Sequence, residues 1–371
     1  MFLYRVRLFS LFGFAVSVDA SWLVLAALVA SSLAVSVFPE TFPGFAATTY
    51  WVMGTATALG LLGSIIFHET AHALVARRFG IPIGGITLFI FGGVAEMQQE
   101  PDSARAELLM AGAGPLASLA LGAALWLAAA ATSGPASATL GYLGLINLAL
   151  AVFNLVPAFP LDGGRMLRAL LWLWRRDQLQ ATRIAAVLGR GFGLLLVMFG
   201  LLRVLAGDVV GGVWSFLIGL FLHSAAIGSY RQTLAARLLA GVTVAQIMHA
   251  EPLTVAAEIS VATFVARYIY PHHAEWFPVV QGRDLLGTVG AREAASVDRR
   301  LWSGIPLARI LKPLSPATTI APETDALTAL RRMRTSGEDR LLVLRDNELI
   351  GTLGLRDVLD VLALREQLAL S

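Results

Sequence analysis

Six long apolar stretches constrain this chain more than any other feature. They run Trp22–Phe38, Met53–Ala76, Ala106–Ala131, Gly141–Trp174, Ala185–Ala206 and Val209–Tyr230. A bilayer crossing needs about 20 mostly apolar residues. A chain with this many such runs is expected to be an α-helical polytopic membrane protein with six transmembrane helices. The fourth run is too long for one straight crossing. Pro157 and Pro160 remove backbone donors there, and Gly163 and Gly164 permit tight turns. Ordinary soluble, disordered and disulfide-stapled classes are excluded, because the chain is 57% hydrophobic, 14% charged and lacks cysteine.

Charge divides the chain. Residues 1–240 hold 24 charged side chains, and residues 241–371 hold 29. The expected organisation is a membrane domain over 1–240 and two cytoplasmic modules over 241–304 and 305–371. Arginines orient the helices. Arg5 and Arg7 precede the first run. Arg77, Arg78 and Arg105 lie between the second and third, and Arg165, Arg168, Arg175, Arg176 and Arg183 lie between the break in the fourth and the fifth. Arg231 and Arg237 follow the sixth, whereas the alternate connections contain only Arg203. Both termini are therefore expected in the cytoplasm. The first run is read as a retained crossing, since Asp19 and nearby Ser and Gly residues interrupt a leader-like pattern. No basic stripe points to nucleic acid.

Phe67-His68-Glu69-Thr70-Ala71-His72 lies within the second run. Ionisable groups inside a membrane helix are costly and default to function. His68 and His72 are one turn apart on one face, a spacing that lets two imidazoles hold one zinc. Glu69 then lies beside the metal as a general base. Five residues separate His72 from Arg77, which places the site roughly 7–8 Å along the helix from that charged end. Zinc needs a third protein ligand. Asp162, in the broken segment Asn154-Leu-Val-Pro157-Ala-Phe-Pro160-Leu-Asp162-Gly163-Gly164-Arg165, is the best placed acid. His223 is the alternative ligand. A salt bridge to Arg165 or a helix cap is the alternative role for Asp162.

These paired motifs, in this order, resemble the site-2 protease family of intramembrane zinc proteases. Phe91-Gly92-Gly93-Val94-Ala95 is similar to that family's glycine-rich segment. Ala111-Gly112-Ala113-Gly114-Pro115-Leu116-Ala117-Ser118 is similar to its Ala-Gly-Pro element. The resemblance implies that His68, His72 and Asp162 bind one catalytic Zn2+ and that Glu69 is the general base and acid. It also implies that Asn154 positions substrate or stabilises the oxyanion. The expected activity is endoproteolysis of membrane-anchored proteins within or near the cytoplasmic side of the bilayer, as in regulated intramembrane proteolysis of bacteria and archaea. A transporter gated by its cytoplasmic pair, with the His and Asp groups as an ion path, is the alternative.

Gly84-Gly85-Ile86-Thr87-Leu88-Phe89-Ile90-Phe91-Gly92-Gly93 reads as a re-entrant or interfacial β-hairpin offering an edge to an extended substrate. Leu11–Asp19 partly alternates and is expected to pair with it.

Residues 241–371 repeat with an offset of 64: Pro252 and Pro316, Val279 and Val343, Gly287 and Gly351. Each unit reads as a Pro-x-Thr strand, a helix, paired strands, a Gly-Thr-x-Gly turn and a final helix. Strands are expected at Leu253-Thr-Val, Phe277-Pro-Val-Val and Arg340-Leu-Leu-Val-Leu. This resembles a tandem pair of cystathionine-β-synthase-like (CBS) modules with an α+β fold. Such pairs often bind adenine nucleotides through a hydroxyl and an acid near the final turn. Here Gly287-Thr-Val-Gly290-Ala-Arg-Glu293 and Gly351-Thr-Leu-Gly354-Leu-Arg-Asp357 carry glycine in place of the hydroxyl. A structural or homodimerising role is favoured over nucleotide sensing. His249, His272 and His273 are expected to serve surface or packing roles.

Overall fold

The computed structural model describes residues 5–90, 92–97, 101–272, 276–282 and 284–370. Phe91 and His273 lie outside the described residues. The chain forms two compact units, Met1–Arg231 and Gln232–Ser371.

The first unit begins with strands β1 (Arg5–Leu11) and β2 (Phe14–Asp19), followed by helices α1 (Ala20–Thr41) and α2 (Ala47–Arg78). Strands β3 (Ile83–Phe89) and β4 (Gly92–Met97) come next. Then follow α3 (Ala104–Ala130), α4 (Gly134–Asn154), α5 (Asp162–Arg175), α6 (Gln178–Leu205) and α7 (Val209–Leu239), whose residues from Gln232 onward belong to the second unit. All of these helices except α5 are long and apolar enough to cross a membrane, six in number.

Asp19, which breaks the apolar pattern, has a local reason to be there. Its carboxylate accepts the backbone N–H of Ser21 at 3.0 Å and so caps α1. The fourth apolar run divides into α4 and α5. Prolines 157 and 160 cannot donate within a helix, and the chain turns between Leu155 and Leu161. It folds back closely on the first turn of α5. A Cβ at Gly163 would lie 2.2 Å from the Leu155 carbonyl oxygen, and one at Gly164 would lie 2.4 Å from the Phe159 nitrogen.

The four strands form one sheet in sequence order. As expected, the segment before α1 joins the hairpin: β2 runs parallel to β3, with Val16 opposite Ile86 and Val18 opposite Leu88. Ile86 and Leu88 are fully buried and pack with Trp22 of α1 and Ile65 of α2. The apolar side of β3 thus holds the hairpin against the helix that carries the histidine pair. At least one polar clamp joins the helices as well: Asn147 of α4 donates to Ser64 Oγ of α2 at 2.9 Å.

The second unit confirms the repeat in detail. Strand pairs Trp276–Gln281 with Asp284–Gly290, and Arg340–Arg345 with Glu348–Gly354, recur 64 residues apart. Each pair belongs to a four-stranded sheet that also holds one short parallel strand, Val255–Ala256 or Thr319–Ile320. The fourth strand of each sheet comes from the start of the other repeat. Lys312–Pro313 pairs with Asp284–Gly290, and His249–Ala250 pairs with Glu348–Gly354.

One expectation is corrected here. Gly-Thr-x-Gly is not a turn but the end of the second strand of each pair. Its first glycine answers to the edge strand: a Cβ on Gly287 would lie 2.1 Å from the Lys312 carbonyl oxygen, and one on Gly351 would lie 2.8 Å from that of His249. The predicted strand at residues 253–255 is also displaced, to Val255–Ala256.

Candidate metal centre

Helix α2 presents His68 and His72 on one face, with their Nε2 atoms 3.1 Å apart. The turn between α4 and α5 delivers Asp162 to the same point. Its Oδ2 lies 3.1 Å from His68 Nε2 and 3.2 Å from His72 Nε2. The three side chains are 5%, 12% and 15% exposed. Among the described residues they form the one cluster of three His, Cys, Asp or Glu groups close enough to share a metal ion.

The remaining ring nitrogens determine what this cluster can do. His72 Nδ1 lies 2.7 Å from the Met110 carbonyl oxygen. A carbonyl only accepts, so Nδ1 bears the proton, and Nε2 of the neutral ring offers a lone pair. His68 Nδ1 lies 2.9 Å from Ser118 Oγ, which can accept in the same way. Both Nε2 atoms and a carboxylate oxygen are thus directed at one point, the donor set that a zinc ion takes. Tetrahedral zinc bonds of about 2.0–2.1 Å give ligand-to-ligand edges of about 3.3–3.4 Å. The observed edges of 3.1, 3.1 and 3.2 Å fit that figure closely.

Helix α3 is the floor of the site. A Cβ on Gly114 would fall 2.2 Å from His72 Nε2 and 2.5 Å from His68 Nε2. Only glycine admits the backbone so close to both rings. Strand β4 makes a similar approach from another side, where a Cβ on Gly93 would lie 2.6 Å from Glu69 Cγ.

The cluster opens into a cavity of about 470 Å³. Glu69, Asn154 and Arg165 supply polar lining, Gly92, Gly93 and Val94 of β4 form one border, and Phe89, Phe153, Trp214 and Phe221 contribute apolar walls. All five residues singled out from the sequence, His68, Glu69, His72, Asn154 and Asp162, therefore line one space. His223 is not part of the cluster; its Nδ1 faces the Arg190 carbonyl oxygen at 3.3 Å. Nor is Asp162 an ion-pair partner of Arg165, whose guanidinium instead lies 4.0 Å from Met97 Sδ.

Several supporting groups had not been singled out. Ser118 and the Met110 carbonyl orient the rings. Glu107 of α3 and Arg168 of α5 form an ion pair, 0% and 3% exposed. Arg168, read from the sequence as one of the arginines that orient the helices, is thus internal. The available signal was Glu107 itself, a rare acid at the start of the third apolar run.

Residues 56–135 and 128–198 match the family model described as Peptidase family M50, and residues 309–364 match the model described as CBS domain. Rip3 of Mycobacterium tuberculosis, named as a zinc metalloprotease, is 37% identical over 354 residues, covering 93% of this chain and 90% of its own. Zinc metalloprotease MJ0392 of Methanocaldococcus jannaschii is 28% identical over 373 residues, 98% of this chain and 99% of its own. A solved site-2 protease from Methanocaldococcus jannaschii is 30% identical with a TM-score of 0.44, covering 62% of this chain and 96% of that one.

Proposed function

This chain belongs to peptidase family M50 and is an intramembrane zinc metalloendopeptidase, and on that premise we propose that His68, His72 and Asp162 hold its one catalytic Zn2+. The observation that carries this reading is the convergence of two Nε2 atoms and one carboxylate oxygen, all within 3.2 Å of one another. Family membership favours the protease over the transporter.

Bound zinc supplies a water of lowered pKa and a Lewis acid for the peptide carbonyl. The protein's own groups do the rest. Glu69 follows His68 on α2 and faces the cavity, so it takes the proton of the attacking water and returns it to the leaving amine. Asn154, at the end of α4, offers its amide N–H to the carbonyl oxygen as charge develops there. The apolar walls exclude bulk water and accept the side chains of an unwound membrane segment.

The substrate is a membrane-anchored protein, bound as an added strand along the outer edge of β4 and cut near the cytoplasmic boundary. The β3–β4 hairpin is re-entrant or interfacial in this reading. Both termini lie in the cytoplasm, in keeping with the distribution of Arg5, Arg7, Arg77, Arg78 and Arg231. The CBS pair, taken as modules 241–304 and 305–371, serves a structural or dimerising role. In support, the acids at the nucleotide-recognition positions are engaged locally: Gly290 N–H donates to Glu293 at 2.8 Å and Gly354 N–H to Asp357 at 2.7 Å.

Glu69→Gln in source cells tests the assignment. The variant should keep its zinc while turnover falls by about 10²–10⁴-fold, the usual contribution of a general acid–base. Single-pass proteins or their truncated stubs should accumulate in its membranes. Unchanged processing at equal expression would remove Glu69 from the chemistry.

A further inference from the structure

We propose that the Glu107–Arg168 ion pair is a positioning device for the metal ligands, holding α5 against α3 at the register where Asp162 meets both histidines. The inference rests on the metal-site reading above and extends it to two residues that touch neither substrate nor metal.

The argument begins with α3. Glu107, Met110, Gly114 and Ser118 are spaced three or four residues apart and so share one helix face. Three of them act directly on the histidines. Met110 accepts from His72, Ser118 meets His68, and Gly114 lets the backbone lie against both rings. That face therefore sets where the two imidazoles point. The third ligand does not come from this pair of helices. Asp162 is the first residue of α5, after a turn held partly by prolines, and its place depends on where α5 sits.

Glu107 is the member of the α3 face that reaches α5. Its Oε1 accepts from Arg168 Nε at 2.6 Å, and a second guanidinium nitrogen meets the same carboxylate. Arg168 lies six residues beyond Asp162, about 9 Å along the helix, and Glu107 lies seven residues before Gly114, about 10.5 Å. The two separations nearly match, so pairing at one end aligns Asp162 with Gly114 and the histidines at the other. The guanidinium also lies over the Phe159 ring, 5.1 Å from its centre. One side chain thus braces both α5 and the broken segment that leads into it.

Chemistry favours register control over plain stabilisation. A buried ion pair gives little net stability against apolar residues of similar volume, but its geometry is directional. The other buried residues of α5 are Gly163, Gly164 and Ala169, none of which carries a polar side chain that could fix its register. Sliding by one turn would carry Asp162 about 5.4 Å from the imidazoles.

The test uses the full-length chain in detergent, loaded with Co2+ as a spectroscopic substitute for zinc. Glu107→Met with Arg168→Met removes the directional pair without leaving a lone buried charge. Arg168→Lys keeps the charge but not the forked geometry, and guards against failure of the double variant to fold. Expected are altered d–d bands and release of Co2+ to a chelator at least about 10-fold faster than wild type, the usual scale for loss of an outer-shell support. Arg168→Lys should fall between. A lowered melting temperature with wild-type bands and release rates would make the pair merely structural and overturn the proposal. Failure of wild type to hold one Co2+ per chain, or undiminished binding by His72→Ala, would instead overturn the metal site itself.

Discussion

The two units use the same residue types in opposite ways. In the membrane unit, His68, His72 and Asp162 are buried and face one another, with no local backbone partner that consumes their ligating atoms. In the repeat unit, His249 is exposed, and Asp357 accepts both from it and from the Gly354 N–H that opens the final helix. A buried polar group must be offset by a specific partner, whereas an exposed one needs none. The converging His68, His72 and Asp162 therefore carry information about chemistry, whereas Asp357 carries information about a helix end, as Asp19 does in the first unit. Glycine divides likewise: Gly114 clears space for imidazoles, Gly287 for an edge strand.

The largest effect that could break this contrast is removal of a ligand. His72→Ala should abolish both stoichiometric zinc and proteolysis, measured by metal analysis of purified protein and by substrate accumulation in cells. Retention of one tightly held zinc would mean that the convergence on α2 and α5 is not the metal site. Gly114→Ala should act through the same centre with no change in ligand chemistry. Its methyl group must displace both rings, and overpacking of this kind costs about 1–3 kcal/mol. Zinc affinity should fall while the helix content seen by circular dichroism stays the same.

The matching change in the second unit is Gly287→Ala. The added Cβ would meet the Lys312 carbonyl at 2.1 Å, a backbone atom that cannot rotate away. A similar penalty of about 1–3 kcal/mol should appear as earlier thermal unfolding of this unit. Zinc stoichiometry should be unchanged. Loss of zinc in this variant would show that the repeat unit controls the metal centre, and the contrast between the units would then understate their coupling.

The same contrast explains what could be read in advance. The apolar runs, the His-Glu-x-x-His spacing and the 64-residue repeat are periodic or local, and the structure brings the expected residues into one cavity. Asp162 was legible because the prolines beside it forbid a continuous helix. The Glu107–Arg168 pair joins residues 61 apart with no period between them, so the sequence shows Arg168 only as one of the orienting arginines. Ser118 is one hydroxyl in a small-residue stretch, indistinguishable in sequence from a packing residue. Gly-Thr-x-Gly was misread because a glycine required by a neighbouring strand looks the same as one required by a turn. The edge strands His249–Ala250 and Lys312–Pro313 are two residues long and carry no alternation at all.

The smallest effect is the most discriminating for the second unit. Asp357→Ala removes the acceptor for Gly354 N–H, and loss of one such cap costs about 1 kcal/mol. The contact with His249 adds less, since that histidine is 74% exposed and exposed pairs contribute about 0–1 kcal/mol. His249→Ala alone should therefore shift unfolding less than Asp357→Ala does. If the carboxylate serves the helix end alone, millimolar AMP should leave the melting temperature of wild type and of both variants where it was. If AMP stabilises wild type in a saturable way and Asp357→Ala abolishes the effect, the carboxylate serves a ligand as well. Asp357 would then resemble Asp162 in kind, and the difference between the units would be one of depth in the protein and not of purpose.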